Sequence, residues 1–209
     1  LGLPKAIAVT KIPPAISLSI FPSRPITVAD NRLQLLTVAR LHWIKGLETT
    51  LEALALLKAE GIAFTYKIIG DGSEREALLF AIHQLGLEAE VDILAAVPPE
   101  LVAHYMQDAD IYLQYSHSEG FCNAVLEAQA SGCLCIVSDG GGLPENVIHG
   151  ETGWVVPKRS PHLLATCIKA VVNLEFLEKE QFQKRARTRI EDAFTLAQQQ
   201  KAFVEFYKG

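Results

Sequence analysis

The chain has 209 residues, of which 49% are hydrophobic and 21% are charged, and its formal net charge is −5. This length suits one large domain, and the hydrophobic content excludes a chain that is disordered throughout. The negative charge argues against a general nucleic-acid-binding surface, because such a surface needs a basic field. No apolar run reaches the ~18 residues that a membrane-spanning helix requires.

Hydrophobic patterning predicts strands that alternate with helices. Strands are expected as apolar runs at 33–39, 64–70, 91–95, 110–115, 133–138 and 153–157. Helices are expected at 46–61, 73–86 (with Ser73 as N-cap), 98–109, about 123–131 and 161–173, and a further one after residue 193. The alternation predicts the α/β class, as a Rossmann-like doubly wound parallel sheet of about six strands flanked by helices.

Residues 1–32 differ from the remainder of the chain because five prolines fall within the first 25 positions. We interpret 1–32 as an interdomain connector and 33–209 as one Rossmann-like domain. A doubly wound sheet binds ligands beyond the carboxyl ends of its strands, so the loops that follow the strands are the candidate site.

Two cations follow the first predicted strand, where Arg40 and Lys45 stand in the stretch ARLHWIKG before a helix. A guanidinium, an ammonium and a helix N-terminus together favour a phosphate or diphosphate. The alternative is a solvated pair on a surface loop. After the second strand, GDGSERE offers Gly70 and Gly72, but Arg75 replaces the third glycine of a dinucleotide fingerprint, which favours a helix-capping turn.

The stretch SEGFCNAVLEAQASG, residues 118–132, places Glu119 and Glu127 around a glycine turn. A carboxylate accepts hydrogen bonds from adjacent hydroxyls, so one acid suits a ribose and the other a second sugar ring. Gly120 permits close approach of the backbone to a ligand. The alternative is a helix-capping acid followed by an exposed helical acid. The apolar neighbours of Glu127 favour partial burial, and a buried acid needs a partner.

Three glycines follow the fifth predicted strand in SDGGGLPENVIHG, and Gly141 and Gly142 are candidate ligand contacts. Consecutive glycines allow a backbone path that presents amides to an anion or a sugar, although a flexible surface turn is the alternative. Four separate loops therefore carry groups that suit a phosphorylated, hydroxyl-rich ligand.

The cysteines and histidines indicate no metal site. No CxxC pair and no zinc-like spacing with histidine occurs, so we expect buried, reduced thiols in a cytoplasmic protein. The cysteines are Cys122, Cys133, Cys135 and Cys167. His42 and His117 lie in candidate ligand loops without a visible partner for base catalysis, and we expect packing or surface roles for both.

Taken together, ARLHWIKG, GDGSERE, SEGFCNAVLEAQASG and SDGGGLPENVIHGETGWVVP resemble the retaining glycosyltransferases of the GT-B fold, and most closely the group 1 (GT4-like) branch. The resemblance covers about residues 33 to 172, and its most specific element is the pair Glu119 and Glu127 at E-x7-E spacing. The chain departs from the family pattern at Cys122, where a small residue is common, and at Ala39, which replaces a frequent glycine.

The resemblance implies a role for each candidate residue. Arg40 and Lys45 would bind the donor diphosphate and offset charge on the departing nucleotide in place of a metal. Glu119 would face the donor sugar as a catalytic acid, and Glu127 would hold the ribose hydroxyls. The base would lie against the loops after the second strand, which begins with Gly70, and after the third strand. Backbone amides would approach the phosphates and the sugar at Phe121, Cys122 and Asn123.

The resemblance also implies a larger enzyme. Residues 33–209 would be the donor-binding half, the N-terminal acceptor domain would be absent, and this chain alone would be inactive. The donor would be a UDP-, GDP- or ADP-sugar and the acceptor a hydroxyl group. No cofactor, metal or nucleic acid is expected, and the full-length protein would work in the cytoplasm, with peripheral association at the inner face of the membrane.

Three other functions stay open at this point. A nucleotide-sugar epimerase of similar fold would bind the same donor and isomerise it. A nicotinamide dehydrogenase domain is disfavoured by Arg75 in the broken fingerprint. A non-catalytic nucleotide-binding module would need Arg40 and Lys45 but not Glu119.

Overall fold

The computed structural model describes residues 10–23 and 32–208. Its strands are β1 (Leu33–Val38), β2 (Phe64–Ile69), β3 (Val91–Leu94), β4 (Ile111–Gln114), β5 (Leu134–Ser138) and β6 (Trp154–Val156). They form one sheet in the order β3-β2-β1-β4-β5-β6, and every neighbouring pair is parallel. The predicted α/β class and six-stranded doubly wound sheet are confirmed.

Helices connect the strands and close the chain. Within the described ranges they are α1 (Leu47–Ala59), α2 (Arg75–Gln84), α3 (Pro99–Asp108), α4 (Asn123–Ser131), α5 (Leu143–Asn146), α6 (Pro161–Val172), α7 (Phe176–Ala193) and α8 (Leu196–Lys208). A single-turn 3-10 helix, Trp43–Lys45, precedes α1. None of the helices in these ranges combines the length and the hydrophobicity needed to cross a bilayer.

The predicted N-cap of α2 is wrong. The helix begins at Arg75 and not after Ser73, and Glu74 occupies the N-cap position without a side-chain hydrogen bond. The preceding backbone is held in a turn, because the Glu74 amide donates to the Leu41 carbonyl at 3.2 Å and the Arg75 amide donates to the Gly72 carbonyl at 3.4 Å. Contact with the loop after β1 therefore delays the start of the helix.

A hydrophobic core covers each face of the sheet. Helices α1, α2 and α6 pack on one face, with Leu54 and Ile168 fully buried, and α3, α4 and α7 pack on the other, with Leu126 and Ile190 fully buried. Strands covered on both faces need apolar side chains at successive positions. This explains why continuous apolar runs located the strands.

Part of the predicted connector packs on this domain. Ile16 and Phe21 are buried in the second core, and the Ile16 amide donates to the Phe194 carbonyl at 2.9 Å. Residues 1–9 and 24–31 lie outside the described residues, so the domain boundary at residue 32 stays a prediction.

The strand order reverses between β1 and β4. The chain runs outward from β1 to β3 and then returns to the other side of β1 with β4. The carboxyl ends of β1 and β4 are therefore neighbours, and the loops that follow them meet there. We call this place, at the carboxyl-terminal side of the sheet, the β1/β4 edge. Lys45 and Glu119, 74 positions apart in sequence, come from these two loops.

Candidate functional site

Lys45 reaches this edge from a fixed turn. His42 Nδ1 accepts a hydrogen bond from the Ile44 amide at 3.3 Å and caps the 3-10 helix. Gly46 ends that helix with φ at 62°, and a Cβ there would lie 2.2 Å from a carbonyl oxygen of the loop after β4. The His117 amide donates to the Ile44 carbonyl at 2.7 Å, so backbone contacts tie the two loops together.

The structure brings Lys45 and Glu119 into direct contact. The Lys45 ammonium forms an ion pair with Glu119 Oε1, and the two side chains are only 16% and 12% exposed. The same oxygen accepts hydrogen bonds from Ser116 Oγ at 3.0 Å and from Gln114 Nε2 at 3.3 Å. Lys45, expected to bind the diphosphate, and Glu119, expected to face the sugar, thus form an ion pair with each other in this structure.

A buried network of hydrogen-bonded side chains supports Glu119, and it was not predicted from the sequence. Tyr112, Gln114 and Ser116 are all fully buried, and Tyr112 Oη lies 3.0 Å from Gln114 Oε1, while Gln114 Nε2 donates to Ser116 Oγ at 2.8 Å. Gln114 ends β4, a strand with every residue buried. A glutamine in a strand of buried residues could have indicated this network, because a buried side-chain amide needs hydrogen-bond partners.

Glu127 lies in the second turn of α4, and the expectation that it is not freely exposed is confirmed. The side chain is partly buried, and this burial raises the pKa of its carboxyl above the usual range. No hydrogen bond or ion pair joins it to another described residue. A carboxylate in this setting favours hydroxyl donors from a ligand.

Arg40 is exposed and borders a cleft of about 350 Å³ at the carboxyl ends of β1, β2 and β3. No ion pair or hydrogen bond joins its guanidinium to the described part of the chain. The cleft is lined by Val38, Ala39, Arg40, Ile69, Gly70, Asp71, Ala96, Val97 and Val102. Arg40 is therefore available to a ligand, whereas Lys45 is already paired.

Gly70 is required by close packing between two loops. Its φ is 153°, and a Cβ would lie 2.0 Å from the Ala39 carbonyl oxygen. Asp71 Oδ2 accepts from the Ala96 amide at 3.1 Å, which joins the loop after β2 to the loop after β3. Arg75 donates to the Ile93 carbonyl at 3.2 Å, so the residue that breaks the dinucleotide fingerprint ties α2 to β3.

Gly141 and Gly142 pack closely against the loop after β4, and a ligand contact at Gly141 stays a prediction. A Cβ on Gly141 would lie 2.2 Å from the Glu119 carbonyl oxygen, and one on Gly142 would lie 1.8 Å from the Gly120 carbonyl oxygen. The Gly142 amide donates to the Glu119 carbonyl at 2.7 Å, so it is not free for an anion. The expectation of ligand-facing amides is wrong for Gly142, because the loop lies directly against the loop after β4.

The Cys122 amide is likewise engaged, which corrects its expected approach to phosphate. It donates to Asn146 Oδ1 at 3.2 Å, and Asn146 Nδ2 donates back to the Cys122 carbonyl at 3.0 Å. Burial raises the pKa of the Cys122 thiol to about 11, so it stays protonated at neutral pH. Asn123 starts α4 and is exposed, so its amide remains a candidate, since the first amides of a helix lack internal acceptors. Phe121 packs on Phe194 with ring centroids 5.9 Å apart.

The two histidines of the loops line a separate cavity. His42 and His117 flank Trp43 beside a space of about 270 Å³ between the starts of α1 and α2. Burial, with smaller effects from Arg159 and Lys158, lowers the pKa of His117. Within residues 10–23 and 32–208, no group of three or more His, Cys, Asp or Glu is arranged to hold a metal ion.

A Gly142→Ala variant is expected to lose about 2 kcal/mol or more of unfolding free energy, because the new methyl group must displace the backbone of the neighbouring loop. Gly120→Ala is the matched control, since a Cβ at Gly120 meets nothing within 4 Å. Its loss should stay below about 1 kcal/mol. Urea unfolding followed by circular dichroism measures both, and equal losses would contradict the packing role of Gly142.

Comparison with known proteins identifies the family of this chain. The model for "Glycosyl transferases group 1" matches residues 22–189. WcaL of Escherichia coli (strain K12), named as a glycosyltransferase of colanic acid biosynthesis, is 33% identical over 201 residues, which cover 93% of this chain and 49% of that protein. The chain thus spans about half the length of this curated relative.

Solved structures share the fold. Sucrose-phosphate synthase from Thermosynechococcus elongatus superposes with a TM-score of 0.84 at 24% identity, over 94% of this chain and 51% of that one. HepE from Anabaena, solved with UDP and glucose, gives a TM-score of 0.82 at 20% identity, over 93% of this chain and 55% of that one. The extent of the family match, together with the identity to WcaL, shows that this chain belongs to the group 1 glycosyltransferase family.

Proposed function

We propose that this chain is the donor-binding unit of a retaining glycosyltransferase that moves a sugar from a nucleoside-diphosphate sugar to a hydroxyl acceptor. The observation that carries the proposal is the meeting of Lys45 and Glu119 at the β1/β4 edge. A cation and an acid, both largely shielded from water, stand where a doubly wound sheet binds its ligands. Arg40 is exposed in the loop after β1, and Glu127 lies half-buried in the second turn of α4, with no hydrogen bond or ion pair to another described residue.

The groups divide between the parts of such a donor. Arg40 and Lys45 bind the diphosphate and offset the charge that develops on the leaving nucleotide. Glu127 accepts hydrogen bonds from the two ribose hydroxyls, and Glu119 faces the sugar. The amide of Asn123 at the start of α4 adds a donor and a favourable helix dipole for the phosphates.

The cleft beside Arg40 suits the base. Its walls are mostly apolar, with Val38, Ile69, Val97 and Val102 among the lining residues, and its volume is about 350 Å³. A planar base can pack between such side chains while the diphosphate reaches Arg40. HepE was solved with UDP and glucose, so UDP is the first nucleotide to test; GDP and ADP are the alternatives.

The whole enzyme would contain a second unit. Because the chain spans 49% of WcaL, we propose that the other half supplies the acceptor site and that this chain alone transfers no sugar. The relation to WcaL favours an acceptor in polysaccharide or glycolipid biosynthesis, in the cytoplasm at the inner face of the membrane. We propose that Arg40 and Lys45, and not a bound metal ion, offset the charge on the leaving nucleotide. The donor affinity is therefore expected to be the same with and without EDTA.

Ligand-detected NMR tests the proposed function. The chain is mixed with UDP, GDP and ADP and with their glucose, mannose and N-acetylglucosamine conjugates, and NAD serves as the negative control. Selective saturation transfer to one nucleotide and its sugar conjugates supports donor binding and identifies the base. Binding of NAD in preference to every nucleoside diphosphate, or of none of these compounds, contradicts it.

A further inference from the structure

We propose that the Lys45–Glu119 ion pair is a resting contact that the donor diphosphate breaks, and that Gln114 and Ser116 then hold the Glu119 carboxylate toward the donor sugar. This inference rests on the proposed function. In this inference Gln114 and Ser116 are positioning residues, and Glu119 competes with the donor diphosphate for Lys45.

Competition follows from the position of Lys45. Its ammonium is largely shielded from solvent and is paired with Glu119 Oε1 before any donor arrives. A diphosphate that uses Lys45 must share or displace this carboxylate, and two anions near one ammonium repel each other. The free energy gained from Lys45 is therefore reduced by the contact that is given up. Arg40, which has no such partner among the described residues, gives its full contribution.

The hydrogen-bond directions show what holds Glu119 once Lys45 has moved. Tyr112 Oη lies 3.1 Å from the Val38 carbonyl oxygen and 3.0 Å from Gln114 Oε1, and both of these oxygens can only accept. The Glu119 carboxylate also only accepts, so the Gln114 side-chain nitrogen faces it and donates to Glu119 Oε1 and to Ser116 Oγ. Ser116 Oγ, as acceptor from Gln114, directs its proton to Glu119 Oε1. Both donors end on a carboxylate, which only accepts.

The backbone under this chain is fixed by contacts that do not involve Lys45. Ser138 Oγ donates to the Ser116 carbonyl, and the Gly142 amide donates to the Glu119 carbonyl at 2.7 Å. Gln114, Ser116 and Ser138 are all fully buried. Loss of the lysine contact therefore leaves both the backbone and two side-chain donors of Glu119 in place.

The competition predicts a gain of affinity from the loss of an acid. Glu119→Gln is expected to bind UDP, which lacks the transferred sugar, about 3-fold to 10-fold more tightly than the unsubstituted chain, because Lys45 is released and a nearby negative charge is removed. The control is Glu60→Gln, which breaks a Glu60–Lys169 ion pair on a remote surface. Titration calorimetry measures both, and equal or weaker UDP binding by Glu119→Gln overturns the competition.

The positioning role is tested without any ligand. In Lys45→Met the side-chain carboxyl ¹³C signal of Glu119, assigned by its loss in Glu119→Gln, is expected to stay sharp and single. In Lys45→Met/Ser116→Ala and Lys45→Met/Gln114→Leu it should broaden or move toward the shift of a solvated glutamate. The double variant Lys45→Met/Ser131→Ala is the control, because Ser131 is an equally buried serine at the end of α4. Release of Glu119 in Lys45→Met alone overturns the role of Gln114 and Ser116.

Binding separates this inference from the proposed function. Ser116→Ala should leave the UDP affinity within about 2-fold, because the Glu119 charge that competes for Lys45 is still present. The extra affinity of UDP-glucose over UDP should fall about 5-fold, because the Glu119 carboxylate is held less firmly toward the sugar. An unchanged sugar increment overturns the inference while donor binding stands. A chain that binds no nucleotide overturns the proposed function, and the ligand-free signals still decide whether Gln114 and Ser116 hold Glu119.

Discussion

The Arg40→Ala/Lys45→Ala variant is expected to bind UDP-glucose about 100-fold more weakly than the unchanged chain, because hydrogen bonds to charged groups contribute about 1.5–3 kcal/mol each. The two single variants should not be equal. Arg40→Ala removes a contact whose guanidinium has no competing partner among the described residues. Lys45→Ala removes a contact whose gain is already reduced by the ion pair with Glu119. Arg40→Ala should therefore show the larger single loss.

Titration calorimetry at low and high salt measures these affinities. UDP-glucose binding by the unsubstituted chain should weaken as the salt concentration rises, because the diphosphate contacts are ionic and partly solvated. The double variant should lose most of this salt dependence. Lys169→Ala/Arg185→Ala is the matched control, with one lysine and one arginine removed far from the β1/β4 edge. A double variant at Arg40 and Lys45 that binds within about 3-fold of this control would place the diphosphate elsewhere.

Glu127→Gln is expected to weaken UDP binding about 10-fold while it makes the free domain slightly more stable. The carboxylate accepts two ribose hydroxyls in the proposed complex, and an amide offers only one acceptor oxygen. In the free domain, however, the charged form is penalised by burial, which raises its pKa. Removal of this charge should raise Tm by about 1–2 °C, a gain kept small by the partial exposure of the side chain.

The pH dependence of Glu127 follows from the same burial. A carboxyl with a raised pKa in the folded state binds its proton more tightly there than in the unfolded chain, so its contribution to stability falls as pH rises through the folded-state pKa. UDP binding has the opposite dependence, because the ribose hydroxyls need the ionised carboxylate. As the pH is lowered, the UDP affinity should begin to fall at a higher pH than it would with a glutamate of ordinary pKa. Glu127→Gln removes both effects. A variant that is less stable, or that binds UDP as tightly as the unchanged chain, would contradict this role.

The sequence was sufficient for the sheet because its strands are buried on both faces and therefore appear as apolar runs. The start of α2 was not predictable, since it depends on hydrogen bonds from residues 74 and 75 to a loop and a turn that only the folded chain forms. Residue type and position after a strand located Lys45 and Glu119. Their ion pair was not predictable, because it depends on the neighbouring positions of β1 and β4 in the sheet.

Other site features were hidden by their surroundings. Gln114 ends a buried strand, Ser116 follows that strand by two residues, and Asn146 belongs to a four-residue helix, so none stood out as a polar motif. Gly141 and Gly142 were predicted as ligand contacts, but close packing against Glu119 and Gly120 is sufficient reason for glycine at both positions, and the Gly142 amide is engaged with the Glu119 carbonyl. Contacts between loops, which have no signature in local sequence, account for each of these differences.

The most direct test of the donor site is a ¹H–¹⁵N correlation spectrum of the chain titrated with UDP-glucose. Chemical-shift changes are expected to concentrate in the loops after β1, β2, β3 and β4, with Arg40, Lys45, Gly70, Gly120 and Asn123 among the amides most affected. The amides of α2 that border the cavity between α1 and α2, those of Ala77, Leu78 and Ala81, should change little. Changes concentrated at these α2 amides, or spread evenly over the surface, would contradict a donor site at the carboxyl edge of the sheet.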